Sequence, residues 1–178
     1  TAYRRQRQMC IRDRYVGNDP SSTTANAQYN VAVGITALNA VTIGDYNTVV
    51  GNESLKDNTI GSYNTVIGMQ ALQENISGNY NTATGMNALH LNTSGSRNTA
   101  TGLNALYENT QGNYNTAVGA DALKNTQGNY NTAIGYEAGE LITTGSNNTI
   151  IGYNADPSAN NSSNQIVIGK GATGQADN

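Results

Sequence analysis

The sequence predicts an all-β fold, a parallel β-solenoid (β-roll) of about nine 17-residue coils. Three observations lead to this prediction. A glycine recurs at a fixed interval, and a short segment of β-branched or small residues precedes it. A Gly-Asn or Gly-Ser turn often precedes that segment. A fixed short period is the signature of a stacked-repeat fold, and helical repeats need more than about thirty residues.

The recurring glycine, called the marker glycine below, sets the period. Consecutive marker glycines are one full period apart, except that the interval between Gly119 and Gly135 is shorter by a single position. Because glycine lacks a Cβ atom, it can end a strand and permit a sharp corner. The marker glycines are Gly34, Gly51, Gly68, Gly85, Gly102, Gly119, Gly135, Gly152 and Gly169.

The three residues before each marker glycine predict a strand. Counting the marker glycine as position 0, position −1 is Val, Ile or Thr, position −2 is Ala, Val or Ile, and position −3 is mostly Thr. Such residues favour strands, and alternate strand residues face opposite sides. We therefore expect both faces of the sheet to be covered. Covering the second face needs either a second strand of the same coil or another chain.

An Ala-Leu pair at positions +3 and +4 predicts the main layer of the core. Position +3 is Ala in every coil except at Ser54. The leucine column continues to Leu123 and then fails at Gly139 and Asp156. We expect Leu141 and Ile142 to restore the lost volume.

A column of asparagines at position −4 has two interpretations. Coils stacked about 4.8 Å apart allow amides to hydrogen-bond along the stack. We favour such a ladder, which fixes the register, over a row of ligand-binding side chains. The column comprises Asn47, Asn64, Asn81, Asn98, Asn115, Asn131 and Asn148.

An aromatic column at position −5 provides the candidate surface-binding residues. It begins at Tyr29, and Arg97 replaces one tyrosine, as a guanidinium can stack on tyrosine rings. One interpretation is a stacked stripe without a ligand, and the other is a surface that contacts carbohydrate. The candidate binding residues are Tyr46, Tyr63, Tyr80, Arg97, Tyr114 and Tyr130.

The sequence predicts no enzyme, cofactor or metal site. His90 is the single histidine, and we interpret it as a tolerated surface position. The acids Glu74, Glu108 and Asp121 fall at variable positions that we expect to be exposed. A Ser-His-Asp triad or a zinc site cannot be assembled from these residues, and calcium-binding nonapeptides do not occur.

Charge is distributed unevenly along the chain. The net charge is −3, but from Tyr15 onward there are four basic and eleven acidic residues. A mildly acidic body without a basic stripe argues against a nucleic-acid partner. Apolar runs are too short for a transmembrane helix, so we predict no membrane insertion of this fragment.

The composition divides the chain into four parts. Residues 1–14 contain Arg4-Arg5-Gln6-Arg7 and Cys10, the single cysteine, and resemble a translated sequencing adaptor of the kind found in metagenomic assemblies. We interpret them as a non-native or disordered basic tail, with a basic arm for nucleic acid or anionic lipid as the alternative. Residues 15–28 read as a polar lead-in loop, residues 29–174 as the repeat domain and residues 175–178 as a truncated end.

The repeats resemble a known family. Asn30-Val31-Ala32-Val33-Gly34 and Asn148-Thr149-Ile150-Ile151-Gly152 resemble the head repeats of YadA-like trimeric autotransporter adhesins, and the longer G-x-Y-N-T-A-x-G-x-x-A-L unit is similar to tail-fibre-like repeats. The period is longer than in the adhesin heads, and Thr replaces Val in most strands. The resemblance covers Tyr29 to about Gly174. It implies a left-handed β-roll, a homotrimer, an extracellular location on a bacterial surface or virion tail, and no catalytic residue.

These observations favour a non-enzymatic structural or adhesive segment of a surface-exposed fibre, which displays a binding surface or a distal tip to a host-surface glycan or protein. The alternative is an ice-binding solenoid that uses the threonine column, which is unbroken from Thr48 to Thr149. Paired threonines occur only at Thr82-Ala83-Thr84 and Thr99-Ala100-Thr101, which favours the fibre. An enzyme of the β-helix lyase type ranks third, because a convergent acid-base cluster is missing.

Overall fold

The chain is a parallel β-solenoid in a computed structural model that describes residues 14–17 and 26–175. Within these residues there are ten strands and no helix. All ten strands are parallel and form one sheet in which they lie in sequence order. The strands are β1 Arg14–Gly17, β2 Val31–Gly34, β3 Thr48–Val50, β4 Thr65–Ile67, β5 Thr82–Thr84, β6 Thr99–Thr101, β7 Thr116–Val118, β8 Thr132–Ile134, β9 Thr149–Ile151 and β10 Ile166–Ile168.

Strand β1 is an additional strand that was not expected from the sequence. Gly17 pairs with Gly34, one period later, and Tyr15 pairs with Ala32 and packs against the core. The interpretation of residues 15–28 as a loop is therefore wrong at 15–17. The signal was present, since Gly17 precedes Gly34 by the same interval that separates Gly34 from Gly51. Residues 1–13, 18–25 and 176–178 lie outside the described residues.

The middle residue of each repeat strand points into the solenoid. Val66 in β4 is fully buried, whereas Thr65 and Ile67 on either side of it are exposed. The same residues pair in register from coil to coil, so that Thr65 lies beside Thr82 and Ile67 beside Thr84. Each column of the sequence is therefore a straight file of side chains along the rod.

The Ala-Leu pair fills the centre of the solenoid, as predicted. The leucines at position +4 are fully buried and have φ between 48° and 55°, the left-handed region. That conformation costs roughly 1–2 kcal/mol for a residue with a Cβ atom. Burying a leucine side chain contributes about 1.5–3 kcal/mol and offsets this cost. The leucines are Leu38, Leu55, Leu72, Leu89, Leu106 and Leu123.

The side chains that fill the core change at Gly139, where the leucine column ends. The prediction for Ile142 is confirmed, because its side chain is fully buried. The prediction for Leu141 is wrong, since 45% of this residue is exposed. Leu141 occupies position +6, which faces outward in other coils, as the exposed Asp57 and Glu108 show.

The asparagine column at position −4 is a buried ladder. The Asn64 Oδ1 atom accepts a hydrogen bond from the backbone N–H of Asn81 at 2.9 Å, and Asn64 Nδ2 donates to the Gly78 carbonyl at 3.0 Å. The asparagines of this file are at most 1% exposed. The ladder interpretation is confirmed, and burial rules out a ligand-binding row.

A second asparagine file, which the sequence analysis missed, lies at position +7. Asn58, Asn75, Asn92 and Asn109 are all fully buried. The Asn75 Nδ2 atom donates to Asn58 Oδ1 at 2.7 Å, and Asn92 Nδ2 donates to Asn75 Oδ1 at 2.9 Å. Four consecutive coils with asparagine at one position were visible in the sequence and could have predicted this file.

The shorter coil, between Gly119 and Gly135, keeps this position and shortens the turn after it. Thr126 is fully buried, and its N–H donates to the Leu123 carbonyl at 3.2 Å, as the Asn109 N–H does to the Leu106 carbonyl. The missing residue therefore belongs to the exposed turn, where Gln127 alone connects Thr126 to the next turn glycine.

A third file lies at position −6, and its hydrogen bonds run along the rod in the direction opposite to those of the file at position −4. The Ser62 N–H donates to Asn79 Oδ1 at 2.8 Å, and the Asn79 N–H donates to Ser96 Oγ at 3.0 Å. Each side chain here accepts from the preceding coil, whereas an asparagine at position −4 accepts from the following coil. The two ladders together fix the register of every coil in both directions along the rod.

We expect Asn75→Ala to lower the free energy of unfolding by about 3 kcal/mol, because it leaves the buried Asn58 Oδ1 atom without its donor and removes one of the two acceptors of Asn92 Nδ2. Asn79→Ser is the matched control, since Ser62 and Ser96 serve as acceptors at the same position. Urea unfolding followed by circular dichroism measures both changes. Equal midpoints for the two variants would contradict the role assigned to the second file.

Candidate binding surface

One side of the solenoid, called the outer face below, carries four files of exposed or half-exposed side chains. They lie at positions −5, −3, −1 and +1, and the first complete coil contributes Tyr29, Val31, Val33 and Ile35. The positions between them, −4 and −2, are buried. The expectation that both sheet faces are covered is therefore not met within one chain, because the coil folds back over the inner face alone.

The tyrosines at position −5 form the stacked stripe that the sequence predicts. Ring centroids are 4.9 Å apart between Tyr46 and Tyr63, with an interplanar angle of 8°, and 4.9 Å apart between Tyr63 and Tyr80, with an angle of 3°. Arg97 continues the stack, with its guanidinium carbon 5.5 Å from the Tyr80 ring and 5.3 Å from the Tyr114 ring. The six candidate binding residues thus lie in one line.

Stacking determines which part of each ring faces solvent. The two faces of Tyr63 are covered by Tyr46 and Tyr80, so this ring presents its edge and its hydroxyl group. Desolvation raises the pKa of the Tyr46 phenol, and the neighbouring Tyr29 and Tyr63 raise it further. A ligand would therefore meet a row of hydroxyl groups and ring edges instead of open aromatic faces.

The backbone at position −5 is unfavourable for tyrosine. Tyr46 has φ 57° and Tyr80 φ 58°, in the left-handed region that asparagine tolerates far better than bulky residues. Asn147 and Asn164 occupy the same position later in the chain, with φ of 61° and 60°. Asparagine thus satisfies the turn, and the tyrosines are present despite a backbone cost.

The other three files of the outer face form an uncharged band, in which positions −1 and +1 are mainly apolar and position −3 is mainly threonine. Val50, Ile67 and Met69 are 40%, 45% and 44% exposed. Between Val31 and Tyr153 the files at positions −3, −1 and +1 contain no charged residue. Apart from Arg97 in the tyrosine stripe, the charged residues between these positions lie on the other sides of the coil, so the band is a distinct surface.

No family model, curated protein or solved structure matches this chain. The resemblance to adhesin-head and tail-fibre repeats therefore stays a prediction, as does the left-handed winding.

The side chains considered for catalysis are not brought together. The His90 ring stacks on Tyr107 at 5.2 Å, and its Nδ1 atom lies 3.1 Å from the Gln70 carbonyl oxygen. Glu108 is exposed as predicted, whereas Glu74 is half-buried. In the described part of the chain, no group of three His, Cys, Asp or Glu side chains could hold a metal ion.

Asp121 and Asp156 each interact with another residue of the chain. Asp121 is half-buried instead of exposed, because it forms an ion pair with Lys124 at 3.1 Å. Desolvation raises the pKa of Asp156, whose Oδ1 atom accepts a hydrogen bond from the Leu141 N–H at 3.0 Å. Within residues 14–17 and 26–175, no helix is long and apolar enough to cross a membrane.

Proposed function

We propose that this chain is a non-enzymatic structural segment of an extracellular fibre, a rod in which three copies pack side by side with their uncharged bands toward a common axis and their tyrosine stripes outside the contact. The observation that carries the proposal is the uncharged band, which runs from Val31 to Tyr153 and is open to solvent in the single chain. Contiguous exposed apolar surface of this extent is rare on soluble monomers and typically marks an interaction site.

The composition of the band resembles that of a protein interface. Interface centres are depleted in charged residues and enriched in methionine and aromatic residues. Position +1 contributes Met69, Met86, Leu103, Tyr136 and Tyr153, all between 41% and 52% exposed. The band therefore fits burial against protein.

The period of the band favours another copy of the same chain as its partner. The eight strands β2 to β9, about 4.8 Å apart, give a band roughly 34 Å long, and three files side by side are roughly 15 Å wide. Three such bands packed about a common axis would bury roughly 1,500 Å² in the whole trimer, because each band is shared between two neighbours, and this total is of the size found in specific assemblies. A partner must repeat at the same interval to make the same contact in every coil, and a parallel copy does so.

The test is the mass of the full-length chain in solution, measured by light scattering after size exclusion. We expect three times the chain mass of 18.7 kDa. The double variant Ile67→Lys and Val118→Lys should be a folded monomer, because both residues lie in the band and a desolvated unpaired lysine is costly. Gln111→Lys, at an exposed position outside the band, is the control and should remain trimeric. A wild-type monomer would contradict the proposal.

Ice binding is the second candidate, because the threonine file lies on the outer face of a regular sheet. Thr82, Thr84, Thr99 and Thr101 place paired threonines there in two successive coils. In the other coils Val or Ile takes the second position, which interrupts the paired array. Measurable thermal hysteresis of the full-length chain, lost on replacing these threonines, would favour ice binding over the fibre.

A further inference from the structure

The tyrosine stripe contains oxidisable groups at a repeated short distance. Tyr29, Tyr46, Tyr63 and Tyr80 stack at 4.8–4.9 Å, and each residue is about half exposed. The stripe has tyrosine where asparagine would suit the backbone better, so the rings contribute what asparagine cannot, which is stacking and the chemistry of the phenol.

We propose that the stripe is a site of oxidative cross-linking, at which a haem peroxidase with hydrogen peroxide joins the phenol rings of adjacent coils. Nearly parallel rings related by one coil place equivalent ring atoms about as far apart as their centroids, 4.9 Å for Tyr63 and Tyr80. The rings are on the surface, where rotation about side-chain bonds is fast. Two adjacent rings can therefore tilt until their ortho carbons meet.

The reaction balances with the peroxide as its oxidant. The peroxidase takes one electron and one proton from each of two phenols, and one hydrogen peroxide molecule is reduced to two molecules of water. The two phenoxyl radicals carry spin density on their ortho carbons, which form a carbon–carbon bond. Each of these carbons then loses its proton, and each oxygen regains one, so that both phenols are restored. The net loss is two hydrogen atoms for each link.

The stripe is suited to links within one chain. Tyr80 and Tyr114 are separated by Arg97, so the stripe consists of one run of four tyrosines and the pair Tyr114–Tyr130. Tyr107 stacks on His90 and has no tyrosine beside it in its stack. A link would connect coils that are otherwise held by hydrogen bonds and packing, and would prevent the rod from opening coil by coil.

The experiment treats the dilute full-length chain with a haem peroxidase and hydrogen peroxide. We expect dityrosine fluorescence, a mass loss of two hydrogens per link, and peptides that join Tyr46 to Tyr63 or Tyr63 to Tyr80 within a chain of unchanged electrophoretic size. Links found only between chains, or oxidised tyrosines without links, would overturn the proposal. These readouts do not depend on the trimer, so the two proposals fail separately.

Three variants locate the reaction. Tyr46→Phe with Tyr80→Phe keeps the stack but leaves no adjacent phenols in the run of four, so only links within the stacked pairs Tyr114–Tyr130 and Tyr136–Tyr153 should remain. Arg97→Tyr should add links to Tyr80 and to Tyr114. Tyr107→Phe is the control and should not change the yield. An unchanged yield in the double variant, or no new links in Arg97→Tyr, would contradict the assignment.

Discussion

Leu89→Asp is expected to lower the free energy of unfolding by about 4–5 kcal/mol, one of the two largest effects predicted for this chain. Leu89 is fully buried in the +4 file. A carboxylate there would lose its hydration without gaining a partner, and a protonated one would still leave polar atoms unsatisfied. The backbone does not explain the loss, because Leu89 has φ 55° and aspartate tolerates this region better than leucine.

Lys124→Ala is the control for Leu89→Asp, and chemical denaturation with circular dichroism measures both. Lys124 forms its ion pair with Asp121 at the surface, which raises the pKa of Lys124 through the shared hydrogen bond. Exposed ion pairs contribute roughly 0–1 kcal/mol, so the unfolding midpoint should barely move. Comparable midpoints for the two variants would show that the leucine file is not the centre of the core.

The other large effect is expected for Gly85→Ala, which should cost at least about 3 kcal/mol in the same unfolding experiment. A Cβ atom added at Gly85 would lie 2.4 Å from the Gly102 carbonyl oxygen, which belongs to the backbone of the next coil. In addition, φ at Gly85 is 131°, a conformation that residues with a Cβ rarely adopt. Both effects oppose the substitution, and neither can be relieved by a side-chain rotation.

Substitutions at two further glycines distinguish the effect of the contact between coils from the effect of the backbone conformation. Gly169→Ala keeps the unfavourable φ of 135°, but its nearest contact would be the Ala172 Cβ atom at 3.6 Å, so it should cost less than Gly85→Ala. Gly171→Asn should be nearly neutral, since φ is 61° and no atom lies within 4 Å. Equal losses for Gly85→Ala and Gly169→Ala would mean that contact between coils contributes little.

The period of the sequence was sufficient to predict the fold and the main files. A residue one period away in the sequence is the neighbour in the next coil, so a column such as Leu72, Leu89 and Leu106 directly reports a line of contacts. Strand β1 was missed because residues 18–28 do not repeat the turn chemistry, although Gly17 keeps the interval. The second amide file was missed because Asn75 resembles an ordinary turn asparagine until its burial is known.

The candidate surface was only partly predictable. The tyrosine column was evident, but its left-handed backbone and covered ring faces depend on how the coil turns at Tyr63. The threonines and aliphatic residues of the strand could have faced either side, since period-two patterns do not distinguish inside from outside. Only the closed coil shows that Val66 points inward and Ile67 outward.

The nearest-neighbour hydrogen bonds of the polar ladders at positions −4 and −6 have a consequence for how such rods change in length. A coil bonds through these ladders to the coil before it and the coil after it, and the acceptors at each boundary are alike: Asn64 accepts from Asn81 as Asn81 accepts from Asn98. Loss or duplication of one whole unit in the gene would bring equivalent coils together and leave each ladder continuous. Rod length is thus a heritable quantity that recombination can adjust in steps of one strand spacing, about 4.8 Å, without a new core.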